Sequence, residues 1–142
     1  MTDFIADVVA QGIRHMAFGD LFLEDVRAYR ERQLAGTGIT PLFPLWGSKT
    51  DELAGEMMAA GLKAKISTLD PRKLPATLGG HEFDAALLAA LPDEVDPCGE
   101  NGEFHTLAWD GPMFQRSLAI RVGETVERDG FVFTDLLAED PE

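Results

Sequence analysis

Over the first seventy residues the apolar pattern alternates between helical spacing and short extended runs, and this alternation limits the chain to few folds. Asp3 to Gln11 carries Phe4, Ile5, Val8 and Val9 at helical spacing, with Gly12 as terminator. Ile13 to Phe18 reads as a strand that stops at Gly19-Asp20. Leu23 to Ala35 is a second, charge-rich helix closed by Gly36-Thr37-Gly38. Ile39 to Leu45 is extended, and Pro41 and Pro44 demote it to an irregular or edge strand. Ser48 to Glu52 offers caps for a helix running to Ala60, with Leu53, Met57 and Met58 inward and Gly61 at its end. Leu62 to Leu69 is the next strand. Helix and strand in alternation imply parallel strands joined by crossover helices.

After Asp70-Pro71 the order changes. A Pro- and Gly-rich loop leads to a helix from about Glu82 to Leu91, with Phe83, Leu87 and Leu88 facing the core. The last forty residues read as antiparallel: Val122 to Arg128 and Phe131 to Thr134 flank Asp129-Gly130, a strong short-range hairpin signal. Leu136 and Leu137 are expected to dock, and Ala138 to Glu142 to fray. The expected fold is α/β: a partial, three-layer-like parallel sheet with crossover helices, then an α+β segment ending in an antiparallel hairpin.

Composition narrows the partners. Acidic residues outnumber basic ones 25 to 12, a net charge of −13, which disfavours nucleic acid and anionic lipid. No apolar run approaches the ~20 residues of a spanning helix. The single Cys98 makes no internal disulfide and fits a reducing cytoplasm. No Gly-x-x-x-x-Gly-Lys-Ser/Thr or Gly-x-Gly-x-x-Gly phosphate loop is present.

The densest chemistry lies at Gly99-Glu100-Asn101-Gly102-Glu103-Phe104-His105-Thr106, running on to Trp109-Asp110-Gly111-Pro112. Two glycines permit a sharp turn, and Phe104 to Trp109 reads as a short strand. Strict alternation would place Glu103 on the same strand face as His105. A polar hairpin turn with a solvated histidine is the bland alternative. Elsewhere, Asp20 reads equally as a site residue or a helix cap, Arg27 and Glu31 as an i,i+4 ion pair, and Trp46 as core or pocket wall. Asp70 reads as a turn residue. Cys98 and His105 lack a second pair at metal-ligand spacing, so no zinc site is expected.

Cys98 to Thr106, with Asp110 and Pro112-Met113-Phe114, resembles the signature of the diphthine–ammonia ligase family of ATP-pyrophosphatase-type amide ligases. The resemblance extends to Gly19, Arg27 and Glu31, to Pro41-Leu42 and Leu45-Trp46, and to Leu53 and Glu56-Met57. It implies that residues 1–45 are a remnant of the nucleotide-binding α/β domain and that residues 46–142 form a substrate-side domain. It also implies an acceptor pocket involving Gly19, Asp20, Arg27, Glu31, Trp46, Gly99, Glu100, Asn101, Gly102, Thr106 and Asp110. Archaeal and eukaryotic members generally carry Gly at the position of Asn101 and Glu at that of His105, so the chain looks like a bacterial branch linked with cobalamin salvage.

ATP with magnesium is implied by the resemblance alone, and none is expected to bind this chain by itself, because the family's Ser-Gly-Gly-Lys-Asp-Ser loop is missing. The chain reads as the back part of something larger, with a separate N-terminal half as one possible partner. The acceptor is expected to be a small-molecule or protein-borne carboxylate, amidated by ammonia after activation. Glu103 and His105 are the expected catalytic pair, binding ammonium and taking its proton; an imidazole titrates in the useful range. The alternative is a non-catalytic binding or interaction module. Phe4, Ile5, Val8, Val9, Ile13, Met16 and Phe18 are expected to leave an apolar surface that a homodimer would cover.

Overall fold

The computed structural model describes residues 2–139. The chain divides into two compact units, Met1–Ser48 and Lys49–Glu142.

In the first unit, α1 (Thr2–Ala10) precedes β1 (His15–Ala17), α2 (Glu24–Leu34) and β2 (Thr40–Leu42). β1 and β2 pair in parallel, His15 against Thr40 and Ala17 against Leu42, with α2 as the crossover. Ile5 and Val8 from α1, Leu34 from α2 and Ile39 form a small buried core, against which Val9, Met16 and Phe18 pack. The expected seven-residue apolar surface therefore does not form. Phe4, 60% exposed, and Ile13 remain outside, because the rest of the stripe finds cover within the unit.

The second unit holds α3 (Thr50–Ala59), β3 (Lys63–Leu69), α4 (Ala85–Ala90), β4 (Phe104–Asp110), β5 (Ile120–Arg128) and β6 (Phe131–Ala138). Its four-stranded sheet has the order β4-β3-β6-β5, and every pairing is antiparallel. β3 thus does not extend the parallel pair, as the helix–strand alternation had implied. Its first four residues alternate, with Ala64 and Ile66 in the core and the two lysines outward, and after a register irregularity at Ile66–Thr68 the strand returns to the core at Leu69, the pattern of an antiparallel strand solvated on one face. Residues 80–83 pair with the first half of β3, through Ile66 N–H to His81 C=O and Phe83 N–H to Ala64 C=O. This delays α4: Asp84 caps it by accepting from the Leu87 N–H at 2.8 Å, so the helix begins at Ala85 rather than near Glu82.

The core joins Ala54, Ala64, Ile66, Leu69, Leu74, Phe83, Leu87, Val95, Phe104 and Val132. The β5–β6 hairpin turns at Asp129 (φ 54°) and Gly130 (φ 80°), the positive-φ pair that a two-residue hairpin loop demands. β6 runs through Leu136 and Leu137 to Ala138, which pairs with Ile120, so fraying does not begin at Ala138. Residues 140–142 lie outside the described residues.

Candidate functional site

The Gly99–Thr106 segment is built around two buried acids. Leu69 at the end of β3 pairs with Phe104 at the start of β4. One residue beyond this pair, the Asp70 N–H donates to the Glu103 carbonyl at 2.8 Å, fixing where the loop enters the sheet. The loop is closed from inside by Asp96. Its Oδ1 accepts from the Cys98 N–H at 2.8 Å and the Glu100 N–H at 3.3 Å, an Asx-type turn, while the Gly99 N–H reaches the Asp96 carbonyl at 2.9 Å. Gly99 has φ 69°, and a Cβ there would lie 2.7 Å from the Phe104 carbonyl oxygen, so only glycine fits.

Glu103 is completely buried. Its Oε1 accepts from the Asp96 N–H at 3.2 Å and from the Asn101 side-chain amide at 3.1 Å. Its Oε2 is buried with no hydrogen-bond partner among the described residues. Burial pushes the acid up, but the Asp96 N–H, its own N–H, the Asn101 amide and the charge of Lys73 outweigh it. The carboxyl stays below its ordinary range and is ionised at neutral pH. The shared face expected for Glu103 and His105 is not observed. Glu103 precedes β4, so strand alternation does not govern it, and it turns inward while His105 is exposed opposite Thr68. Ser67 Oγ donates to the His105 carbonyl at 3.2 Å, at an irregularity in the β3–β4 register.

Asp70 is buried and is more than a turn residue. Arg72 donates to it through Nε at 2.8 Å and Nη2 at 2.7 Å, and through its main-chain N–H at 2.9 Å. That bonding holds the Asp70 carboxyl at about 2. Cys98 donates its thiol to the Thr50 carbonyl at 3.3 Å, and burial lifts its pKa to about 11, so it is a packed thiol rather than a nucleophile. Asp110 is held low by the Ser117 hydroxyl first, then by the Gly111 N–H, and it contacts Lys63 at 3.3 Å. Thr106 lines a groove on the sheet with Ser67. Gly102, at φ 77°, faces open space.

Gly19, Asp20, Arg27, Glu31 and Trp46 all lie in the first unit. Asp20 does not cap α2, whose N-cap is Leu23; it sits 3.6 Å from Arg30 Nε instead. Arg27 pairs with Glu31 at 3.0 Å, and its guanidinium lies 4.7 Å from the ring centres of both Phe43 and Trp46. The two rings meet edge to face at 71°, and the cation is close to both. Among the described residues, no group of three or more His, Cys, Asp or Glu is placed to hold a metal ion, and no helix is long and apolar enough to cross a membrane.

Sequence reasoning missed Asp96, the Asp70–Arg72 pair and Glu82, whose carboxylate ties Trp109 Nε1 (2.9 Å) to Lys65 Nζ (2.7 Å). An Asp two residues before Cys98 is an Asx-turn signal, and it was open to reading. The Glu82 link joins residues 27 positions apart and left no local trace.

A family model described as the diphthamide synthase C-terminal domain matches residues 50–135. Among curated proteins, the chain is similar to the diphthine–ammonia ligase of Rattus norvegicus, at 31% identity over 121 residues, 80% of this chain and 45% of that protein. The Mus musculus diphthine–ammonia ligase is 30% identical over 128 residues, 85% of this chain and 47% of that protein. The Schizosaccharomyces pombe diphthine–ammonia ligase is 32% identical over 95 residues, 63% of this chain and 16% of that protein. The chain spans less than half the length of these relatives.

Proposed function

Because the chain belongs to the family of the diphthamide synthase C-terminal domain, we propose that its second unit is the acceptor and ammonia side of an ATP-dependent ligase that amidates a carboxylate. The relatives carry diphthine in their name; for this chain the proposed acceptor is a carboxylate, free or protein-borne, in a reducing cytoplasm.

The observation that carries this reading is the buried, ionised Glu103 with one oxygen unpartnered. A desolvated carboxylate oxygen with no donor facing it is costly, and it is stabilised when a cationic N–H donor arrives. Ammonium supplies such donors. A carboxylate held below its ordinary range is a good acceptor of hydrogen bonds and a poor base. Glu103 is therefore proposed to hold ammonium, not to deprotonate it. His105 is exposed where Glu103 turns inward, so it is not placed to take a proton from an ammonium held there. Asp96 and Asn101 fix the other Glu103 oxygen and so aim the unpartnered one.

ATP is implied by the family, and the residues present do not fit its phosphates. α2 and α3 each follow a strand and each open with acid in the first turn, Glu24 and Asp25 in one, Asp51 and Glu52 in the other. Such turns repel phosphate where a nucleotide site would need bare N–H groups. The phosphate chemistry is proposed to reside on polypeptide beyond these 142 residues.

The test supplies the phosphate-loop half of a curated relative in trans and measures ammonia-dependent amide formation. Glu103→Gln should raise the KM for ammonium by roughly tenfold, the loss of one charge-assisted bond, with the KM for ATP unchanged. Equal changes in both would count against Glu103 as the ammonium site.

A further inference from the structure

The second unit carries eight basic residues: Lys49, Lys63, Lys65, Arg72, Lys73, Arg116, Arg121 and Arg128. Four are committed to carboxylates, Lys49 to Glu52, Lys63 to Asp110, Lys65 to Glu82 and Arg72 to Asp70. Lys73, Arg116, Arg121 and Arg128 make no such ion pair among the described residues, and of these Arg128 is set apart by an aromatic support: its guanidinium carbon lies 4.8 Å above the Phe133 ring. It also lines a groove of about 400 Å³ to which all four strands of the sheet contribute. Ser67 and Thr106 bring hydroxyls to that groove, and Leu107, Val126 and Phe133 bring apolar surface.

We propose that this groove is the subsite for a carboxylate-bearing acceptor, with Arg128 as its anion-binding, specificity-determining group. The inference rests on the function proposed above and names the residue that recognises the acceptor. A guanidinium stacked on an aromatic ring keeps its edge N–H donors free, and that planar fork matches a carboxylate in two-point geometry. In a chain of net charge −13, an anion is repelled at long range, so its capture requires a local cation not already neutralised. Arg128 meets that condition within a groove that also includes the motif residue Thr106. The apolar side chains cover the short hydrocarbon that carries the carboxylate, as ligand grooves combine apolar lining with few polar anchors. Asp135 lines the same groove and disfavours ligands with a second negative charge.

The experiment titrates the full chain with sodium butyrate at constant ionic strength, beside butyramide, which has the same shape and no charge. Amide and Arg Nε–Hε NMR signals of Arg128, Thr106 and Val126 are the readout. Butyrate should produce saturable shifts, with butyramide weaker by about tenfold, one charge-assisted bond in affinity terms. Arg128→Gln should lower butyrate to the butyramide level. Arg128→Lys should fall between, having charge without the fork, and Asp135→Asn should tighten butyrate. Equal response to both probes, shifts matched by sodium chloride, no saturable shift, or unchanged binding in Arg128→Gln would each overturn the proposal. Arg128 is exposed at a hairpin end, so these variants should keep the fold, and the parent hairpin cross-peaks verify it. No ATP or ammonium enters the titration, so its failure leaves the ammonium reading of Glu103 standing, and failure of that reading leaves this one measurable.

Discussion

The Asp70 main-chain N–H donates to the Glu103 carbonyl at 2.8 Å, so the acid that follows β3 and the acid that precedes β4 are joined by one backbone link. Both side chains are buried, and both carboxyls lie below their ordinary range for separate reasons. Asp70 is neutralised by Arg72, whereas Glu103 is held mainly by dipoles, with the charge of Lys73 adding least. One acid is therefore finished as a structural element, and the other retains an unused oxygen. That asymmetry is why the functional reading is placed on Glu103.

Asp70 should make the fold sensitive to acid. Its folded pKa, about 2, is depressed below that of the unfolded chain. Its contribution is therefore fully present above about pH 4 and is lost as pH falls from about 4 to about 2. Asp70→Asn should melt at a lower temperature at pH 7, and the gap between variant and parent should close across that window. Calorimetry from pH 7 to pH 2 gives the comparison; a gap that persists at pH 2 would mean the carboxylate charge is not what matters.

Two glycines at positive φ should respond unequally to alanine. Gly130 faces open space, so Gly130→Ala meets only the left-handed backbone penalty, about 1 kcal/mol. Gly99→Ala adds a collision with the Phe104 carbonyl to the same penalty and should cost about 2 kcal/mol or more. Urea titrations of the pair measure the difference. Hydrogen exchange at Cys98 and Glu100 should speed up in Gly99→Ala alone.

Truncating Glu103 should unsettle the loop rather than leave it untouched. Glu103→Ala deprives the Asp96 N–H and the Asn101 amide of their acceptor in a buried place, at about 1–3 kcal/mol. Glu103→Gln keeps one oxygen for those donors and should retain most of the stability while losing the charge. Chemical denaturation of both variants separates the structural part from the electrostatic part.

Local signals in the sequence were read well where local physics decides the outcome. Asp129-Gly130 announced its hairpin because a two-residue turn needs positive φ at both positions, a demand met within four residues. The β1–α2–β2 crossover followed from helical spacing bounded by glycines and prolines. The partner of β3 was not legible in that alternation. Apolar periodicity identifies a strand but does not choose its neighbour, and the polar–apolar alternation Lys63-Ala64-Lys65-Ile66 was the signal that should have pointed to an antiparallel sheet. At the site, the density of polar residues marked the right segment. The orientation of Glu103 was missed because it stands one residue outside β4, where Asp96, seven positions away, controls it. Arg128 carried no local signal; its significance comes from the Phe133 ring and the groove that the folded sheet places around it.

The most direct measurement of the central claim is a ¹³C NMR titration of the Glu103 side-chain carboxyl, with and without ammonium chloride, against tetramethylammonium chloride at equal ionic strength. The account predicts a midpoint below the ordinary glutamate value, lowered further by ammonium and not by tetramethylammonium, since only ammonium brings N–H donors to the unpartnered oxygen. A midpoint at or above the ordinary value, or an identical response to the two cations, would contradict it.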